Sequence, residues 1–267
     1  MLNGFKEKII NNNKDLILWS KLHKVRSFLY ITKNKNLNKL YIKEDIMAKI
    51  LVYNNYSNSI EVYYKGVNEA MPYNSYRTLT VKEFRGSSNS NILWTDVRTM
   101  QAWNSFRYIY GNPIYVGFAF KRPWEGGHST LSQHYSGLAF DVAQNLSELG
   151  RQNLRNLAAS SGVWKYVEPI NLTPRWVHFD NRYIASGFPL IKLGSKNVYV
   201  CVAQDSLINL GYDTGGLDGI FGSKTYNSVK SFQAKNGLIV DGIIGNNTWL
   251  TLMNQVVGSG KNSNTIN

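Results

Sequence analysis

The spacing of hydrophobic and polar residues changes several times along the chain, and each change predicts an element. Residues 49–53 and 60–64 are rich in β-branched and aromatic side chains and predict a hairpin. From Val97 to Phe106 apolar residues recur every three or four positions, which predicts a helix ending at Gly111. Further strands are predicted at 114–120, 138–142, 164–168 and 175–180, and a further helix follows Ser147 as far as residue 160. Short strands mixed with helices, without regular βαβ alternation, indicate an α+β domain.

After residue 194 the pattern changes to three short helical segments, at 198–210, 223–236 and 247–253. Between them an Asp-Gly-x-x-Gly turn occurs twice, at 218–222 and 241–245, and its glycines permit positive φ. The predicted fold is therefore α+β: a small antiparallel-sheet domain with flanking helices, and a C-terminal three-helix bundle. We place the larger domain at 47–190, a linker at 191–196, the bundle at 197–257 and a tail at 258–267.

Charge is unevenly distributed along the 267 residues. Lys and Arg number 30 against 17 Asp and Glu, and the net charge of +13 indicates an anionic partner such as nucleic acid, phospholipid or a bacterial wall polymer. Residues 1–46 contain ten basic and four acidic side chains, a net of +6. We interpret them as a basic, poorly packed N-terminal extension outside the fold, and a nucleic-acid-binding or membrane-binding arm is the alternative.

Composition excludes several classes of protein. A single cysteine rules out a disulfide framework and a Cys-x-x-Cys site. No apolar run approaches the about 18 residues of a membrane-spanning helix, and no recognisable signal peptide begins the chain. With only four histidines, any metal site must recruit carboxylates.

The stretch from Ser132 to Asp141 concentrates polar residues that could carry chemistry. On one continuous strand, the odd offset between His134 and Asp141 would point them to opposite faces. Because Gly137 permits a turn between them, a histidine on a loop and an aspartate on a strand can converge.

A second polar cluster lies at 176–180, where alternation puts Trp176, His178 and Asp180 on one face of a strand. Two imidazoles and one carboxylate form a typical catalytic zinc shell with a fourth position left for water. Zinc would lower the pKa of that water to about 7 and polarise a carbonyl group. On spacing alone, however, a neighbouring His and Asp are more often hydrogen-bonding partners than ligands.

Taken whole, Ser-x-His-x-x-Gly-x-Ala-x-Asp at 132–141 and Trp-x-His-x-Asp at 176–180 resemble the LAS-type zinc peptidases. That family includes D-Ala-D-Ala carboxypeptidases, vancomycin-resistance dipeptidases and phage endolysins, and the resemblance covers roughly residues 70–185. It implies that His134, Asp141 and His178 bind one Zn²⁺ ion. It also implies cleavage of a peptide bond in peptidoglycan stem peptides, by a carboxypeptidase or an endopeptidase.

The general base is where the chain departs from that family. Related enzymes place a Glu three residues before the last ligand or a His two before it, and here those positions hold Arg175 and Trp176. Glu168 is the predicted substitute, because it ends a strand predicted to lie beside the strand of His178. A base must come within hydrogen-bond reach of its proton. The competing interpretation of Glu168 is an exposed strand end.

The resemblance implies roles for other polar residues. Arg122 corresponds to an arginine that anchors substrate or stabilises an oxyanion, a role suited to a guanidinium, and Lys121 competes for it. Ser132 is predicted to bind substrate or close its loop. Asp180 is predicted to orient a ligand imidazole or to cap the next turn. For His128, in a glycine-rich loop, we predict loop support or a substrate contact rather than metal binding.

The C-terminal segment resembles the three-helix peptidoglycan-binding domain. The resemblance rests on Ala203-Gln204, Leu210-Gly211-Tyr212, both Asp-Gly-x-x-Gly turns, Val229-x-x-Phe232-Gln233, Gly237-Leu238 and Thr248-Trp249. It implies that peptidoglycan is the partner and that the module targets the enzyme to the wall, which raises its local concentration on an insoluble polymer.

Three alternatives stay open at this point. A zinc N-acetylmuramoyl-L-alanine amidase would use the same metal chemistry, and the missing Glu before His178 favours a non-catalytic, zinc-containing wall-binding protein. Nucleic-acid binding by residues 1–46 is the third. Our main expectation is a monomer without a nucleic-acid partner or an integral membrane segment. It would act at the cell wall or outside the cell and be released by lysis or through a holin.

Overall fold

The computed structural model describes residues 5–7, 15–22, 25–32 and 40–266, with side chains from residue 47 onward. It confirms the predicted α+β class: small, mainly antiparallel sheets with helices around them, and a helical C-terminal region. Within this part of the chain, no helix is long and apolar enough to cross a bilayer.

The N-terminal segment contributes strands β1 (Phe5–Glu7), β2 (Asp15–Leu22), β3 (Val25–Thr32) and β4 (Leu40–Ile46). They pair antiparallel in chain order. The side chains of the predicted basic arm at 1–46 lie outside the described residues.

A second sheet begins the better-patterned part of the chain. Strands β5 (Ala48–Asn54) and β6 (Ser59–Lys65) form the predicted antiparallel hairpin. Strand β7 (Ile92–Asp96) adds to β5 in parallel, and the sequence analysis did not predict it. All five of its residues are buried, so it lacks the alternation that identifies a half-exposed strand.

One helix precedes β7 in the chain and another follows it. Helix α1 (Val81–Arg85), also not predicted, begins at a capping box in which Thr80 and Glu83 satisfy each other's backbone N–H groups. Helix α2 (Val97–Tyr110) follows β7 directly and ends at Gly111 with φ of 73°, as predicted. Asp96 begins α2 by accepting a 2.7 Å hydrogen bond from the backbone of Thr99.

The third sheet is antiparallel, with strand order β10 (Tyr166–Val167), β11 (Val177–Asp180), β9 (Ala139–Val142) and β8 (Val116–Phe118). Each strand lies where the sequence predicted one, but is shorter. Helix α3 (Glu148–Ser160) begins after Ser147, as predicted, and packs against this sheet. Phe140 and Phe179 point into the core, where Phe140 meets Trp103 of α2 with ring centroids 4.6 Å apart.

The C-terminal region contains helices α4 (Val198–Asn209), α5 (Ser223–Lys235) and α6 (Asn246–Val256), close to the predicted bounds. A buried glutamine on α4 and one on α5 each complete one copy of the repeat. Gln204 Nε2 donates to Asp218 Oδ1 (2.8 Å) and to the carbonyl of Ile220 (3.0 Å). Gln233 makes the equivalent bonds to Asp241 (2.8 Å) and Ile243 (2.9 Å). In each copy of the repeat, the side chain of a buried glutamine therefore holds the Asp-Gly-x-x-Gly turn through hydrogen bonds.

The segments predicted as linker and tail are both packed. Ile191 is buried and pairs with Ile244 through two backbone hydrogen bonds of 3.1 and 2.9 Å. In the tail, the backbone N–H groups of Gly258 and Gly260 donate to the carbonyls of Pro123 and Trp124 (3.1 and 2.9 Å). One continuous apolar core runs through the sheet domain and the bundle.

Candidate metal centre and its cavity

A cavity of about 270 Å³ opens beside strands β9 and β11, on the face of the sheet that carries Asp141 and His178. The three predicted metal ligands line it together with Ser132, Glu168 and Trp176. Residues far apart in the chain thus contribute to one polar cleft of a size that suits a small substrate group.

The sheet brings Asp141 and His178 together, because these residues are direct partners in the antiparallel pairing of β9 with β11. Their side chains therefore share one face, with His178 Nδ1 2.7 Å from Asp141 Oδ1. On the other side of the carboxylate, His134 Nε2 lies 3.2 Å from Asp141 Oδ2. The structure thus places the carboxylate between two imidazoles, the grouping that the sequence motif implied.

Gly137 makes this convergence possible. Its φ is +68°, and a Cβ built on it would lie 1.9 Å from the carbonyl oxygen of Trp94. The turn is held from β7, where Thr95 Oγ1 donates to the carbonyl of Gly137 at 2.8 Å. The predicted turn at Gly137 is confirmed, and it requires glycine for both conformation and space.

Gly137→Ala is therefore expected to lower the free energy of unfolding by about 2–5 kcal/mol, from left-handed backbone strain and a steric clash with Trp94. Gly111→Ala is the matched control, since its φ of +73° is similar but no atom lies within 4 Å of the added Cβ. Chemical unfolding of both variants measures the difference. Equal losses of stability would show that the close approach to Trp94 does not matter.

Hydrogen bonding to the backbone orients the imidazole of His134. Its Nδ1 lies 3.2 Å from the carbonyl oxygen of Ala119, which places the proton on Nδ1 and a lone pair on Nε2. Nε2 is buried and makes no hydrogen bond within the part of the chain that the structure describes. A buried nitrogen lone pair of this kind, aimed at a carboxylate, fits a zinc ion between the two groups.

His178 is held between two carboxylates, with Nδ1 facing Asp141 and Nε2 3.1 Å from Asp180 Oδ2. Burial alone would lower the pKa of His178, but hydrogen bonds with Asp141 and Asp180 raise it to about 9. Burial likewise would raise the pKa of Asp141, but the neighbouring His134 and the hydrogen bond with His178 outweigh it and hold that pKa well below its usual range. Without a metal ion, the imidazolium and carboxylate thus neutralise each other.

Asp180 lies behind the imidazole of His178, as predicted from the strand alternation, and it also binds Arg182. The guanidinium donates to Asp180 from Nε (2.8 Å) and NH2 (2.5 Å). Arg182 lines the cavity and stacks over the ring of Tyr166 at 3.7 Å. Arg182 was not among the predicted site residues, although it lies two residues after Asp180 and so continues the alternation of Trp176, His178 and Asp180.

Glu168 and Ser132 both line the cavity. Glu168 follows β10 and is half-buried, and its backbone N–H donates to the carbonyl of His178 at 2.9 Å. This places it beside the last ligand, as the strand arrangement predicted. Ser132 Oγ accepts a 3.4 Å hydrogen bond from the backbone of His134, which closes the ligand loop.

Neither Arg122 nor Lys121 is among the residues that line the cavity, and the burial of Arg122 corrects the substrate role predicted for it. Arg122 is completely buried, and its guanidinium forms a bidentate ion pair with Asp205 of α4. It also donates a 2.8 Å hydrogen bond to the hydroxyl of Ser90. A substrate in the cavity cannot reach it. Lys121 is half-buried, and its backbone N–H donates to the carbonyl of His134 at 3.3 Å. Its charge is among those that lower the pKa of His128.

His128 is closer to the ligands than the sequence analysis expected. Its ring stacks on that of His134 with centroids 4.2 Å apart. Among the described residues, the group with one donor atom each within 4.8 Å of one another is His128, His134 and Asp141, and it does not include His178. Burial, followed by the neighbouring His134, lowers the pKa of His128 to about 3. A neutral imidazole with a free lone pair therefore adds a further nitrogen donor to the cavity.

Comparison with protein families identifies the C-terminal module. Residues 198–252 match a family model described as a putative peptidoglycan binding domain. The match lies within the predicted module at 197–257 and covers helices α4 and α5 and most of α6. This segment is therefore similar to domains that bind peptidoglycan, which indicates peptidoglycan as the partner and association with the cell wall.

Proposed function

We propose that this protein is a zinc-dependent hydrolase that cleaves a peptide bond in peptidoglycan stem peptides. The observation that carries the proposal is the convergence of His134, Asp141 and His178 in one cavity of a chain with a wall-binding module. The donor set of two imidazoles and one carboxylate suits a catalytic zinc site with an open position. Bound there, zinc would supply a Lewis acid and a water molecule with a pKa near 7.

The protein's own residues prepare the ligands for the metal ion. His178 must lose its Nδ1 proton for that nitrogen to bind zinc, while its Nε2 proton remains hydrogen-bonded to Asp180. The Asp180 carboxylate thus fixes the orientation and the tautomer of the His178 imidazole. Arg182 in turn forms an ion pair with Asp180 and so holds that carboxylate in place behind His178.

Glu168 is the proposed proton carrier. Its carboxylate is half-buried at the cavity and can accept the proton of the attacking water. The same group then delivers that proton to the leaving amine nitrogen as the C–N bond breaks, so the reaction leaves a new carboxylate and a new amine. Trp176 forms an apolar wall of the same cavity.

Digestion of purified peptidoglycan by the full chain, followed by mass spectrometry of the products, tests the proposal. The expected result is a new amino group within the stem peptide. Its formation should require zinc and should stop when a chelator is added before digestion. A new amino group on the L-Ala next to muramic acid would identify an amidase instead. Zinc binding without release of any peptide or amine would overturn the assignment as a hydrolase.

Glu168→Gln should lower kcat by about 10²–10⁴-fold because the neutral amide cannot accept a proton. Zinc content should stay unchanged, since Glu168 is not among the proposed ligands. Glu148→Gln, at an exposed position in the first turn of α3, is the control and should keep full activity. Retention of activity by Glu168→Gln would assign the base to another group.

A further inference from the structure

We propose that the C-terminal module is a structural part of the cavity rather than an independent targeting domain. Helix α4 of the module contacts the cavity-lining loop of Gln133 and His134 through Tyr199, and the segment that leads to His128 through Asp205. We assign these two side chains as positioning residues for the metal centre. This inference rests on the proposed function, and it goes further because wall binding by itself requires no such contacts.

The first contact reaches the ligand loop. Tyr199 is completely buried, and its hydroxyl donates to Gln133 Oε1 at 2.9 Å. Gln133 lines the cavity and immediately precedes the ligand His134. Its Nε2 donates to the carbonyl of Gly187, also on the cavity wall, at 2.9 Å. The hydroxyl group of Tyr199 thereby fixes the Gln133 side chain, which links the two cavity-lining segments that contain Gln133 and Gly187.

The second contact holds the segment that leads to His128. Asp205 of α4 is 1% exposed and forms its ion pair with Arg122, which begins the turn at Pro123–Glu125. From the opposite end of the module, the tail donates two backbone hydrogen bonds to this same turn. Gly126 adds a close approach, because a Cβ built on it would lie 2.8 Å from the Cα of Gly258.

The character of this interface argues against a mobile tether. Domains that move relative to each other usually meet through modest, rather polar surfaces. Here, separating the module from the sheet domain would expose a shared apolar core to water and break the buried ion pair between Arg122 and Asp205. The module therefore stays docked while it binds the wall, and its orientation determines which part of the polymer reaches the cavity.

Tyr199→Phe in the full chain tests the inference, because it removes one hydroxyl and keeps the ring packing. We expect zinc affinity, measured by competition with a chelator, to fall by about 10-fold, the lower end of effects from outer partners of a metal site. We expect kcat on a soluble stem peptide to fall as well, while co-sedimentation with peptidoglycan remains unchanged. Tyr108→Phe, at an exposed position of α2 outside both the cavity and the module, should alter none of these.

The outcomes separate the two proposals. Unchanged zinc affinity in Tyr199→Phe, measured well below its unfolding temperature, would overturn the positioning role. If the wild-type chain hydrolyses no substrate, the proposed function fails, but zinc affinity still decides whether α4 supports the metal centre. Loss of peptidoglycan binding in Tyr199→Phe would also contradict the inference, since it would place Tyr199 in the contact with peptidoglycan itself.

Discussion

Asp141→Ala is expected to abolish zinc binding and hydrolysis together. The carboxylate lies between the two imidazoles, 2.7 Å from His178 and 3.2 Å from His134, so its loss removes one proposed ligand and the charge that holds the other two. We expect zinc affinity to fall by more than about 100-fold, beyond the 10–100-fold typical of residues behind the ligands. Hydrolysis should fall to background, because the chemistry depends on the bound ion.

Two further variants calibrate this result. Asp180→Asn removes the partner behind His178 and should weaken zinc affinity by about 10–100-fold. Asp213→Asn changes an exposed aspartate of the C-terminal module and should leave affinity and activity unchanged. Metal content by elemental analysis and peptide release are measured on all three. Full zinc content in Asp141→Ala would refute the proposed ligand set.

Asp205→Ala is expected to destabilise the whole protein by about 3–5 kcal/mol, because it leaves the Arg122 guanidinium buried without its counter-charge. With about 2–4 °C per kcal/mol for a protein of this size, the unfolding midpoint should fall by about 6–20 °C. Since one core runs through both modules, the sheet domain and the bundle should unfold in a single transition. Calorimetry measures the midpoint and the number of transitions.

A double variant separates the buried charge from the packing. Replacing both partners, as Arg122→Met with Asp205→Leu, removes the uncompensated charge and should recover most of the lost stability. Asp213→Ala, which breaks an exposed ion pair with Lys224, should leave the midpoint nearly unchanged. Two separate transitions in the wild type, or no effect of Asp205→Ala, would show that the modules are not coupled through this pair.

The sequence by itself determined the features that depend on short stretches of chain. Helix α2 begins at Asp96 and ends at Gly111 because a capping side chain and a left-handed glycine act on the nearest backbone groups. The turn at Gly137 and the alternation from residue 176 to 180 were equally local, but His134, Asp141 and His178 were grouped only through the resemblance of the whole motif to zinc peptidases.

The tertiary structure alone decided which long-range partner each polar group meets. A guanidinium suits a substrate carboxylate and an aspartate equally well, so nothing near Arg122 in the sequence pointed to Asp205, 83 positions away. The same holds for Tyr199 and Gln133, and for the buried strand β7, whose partner β5 lies about 40 residues earlier. Local patterns record propensity and periodicity, whereas the choice among chemically equivalent partners arises only when the chain packs into one core.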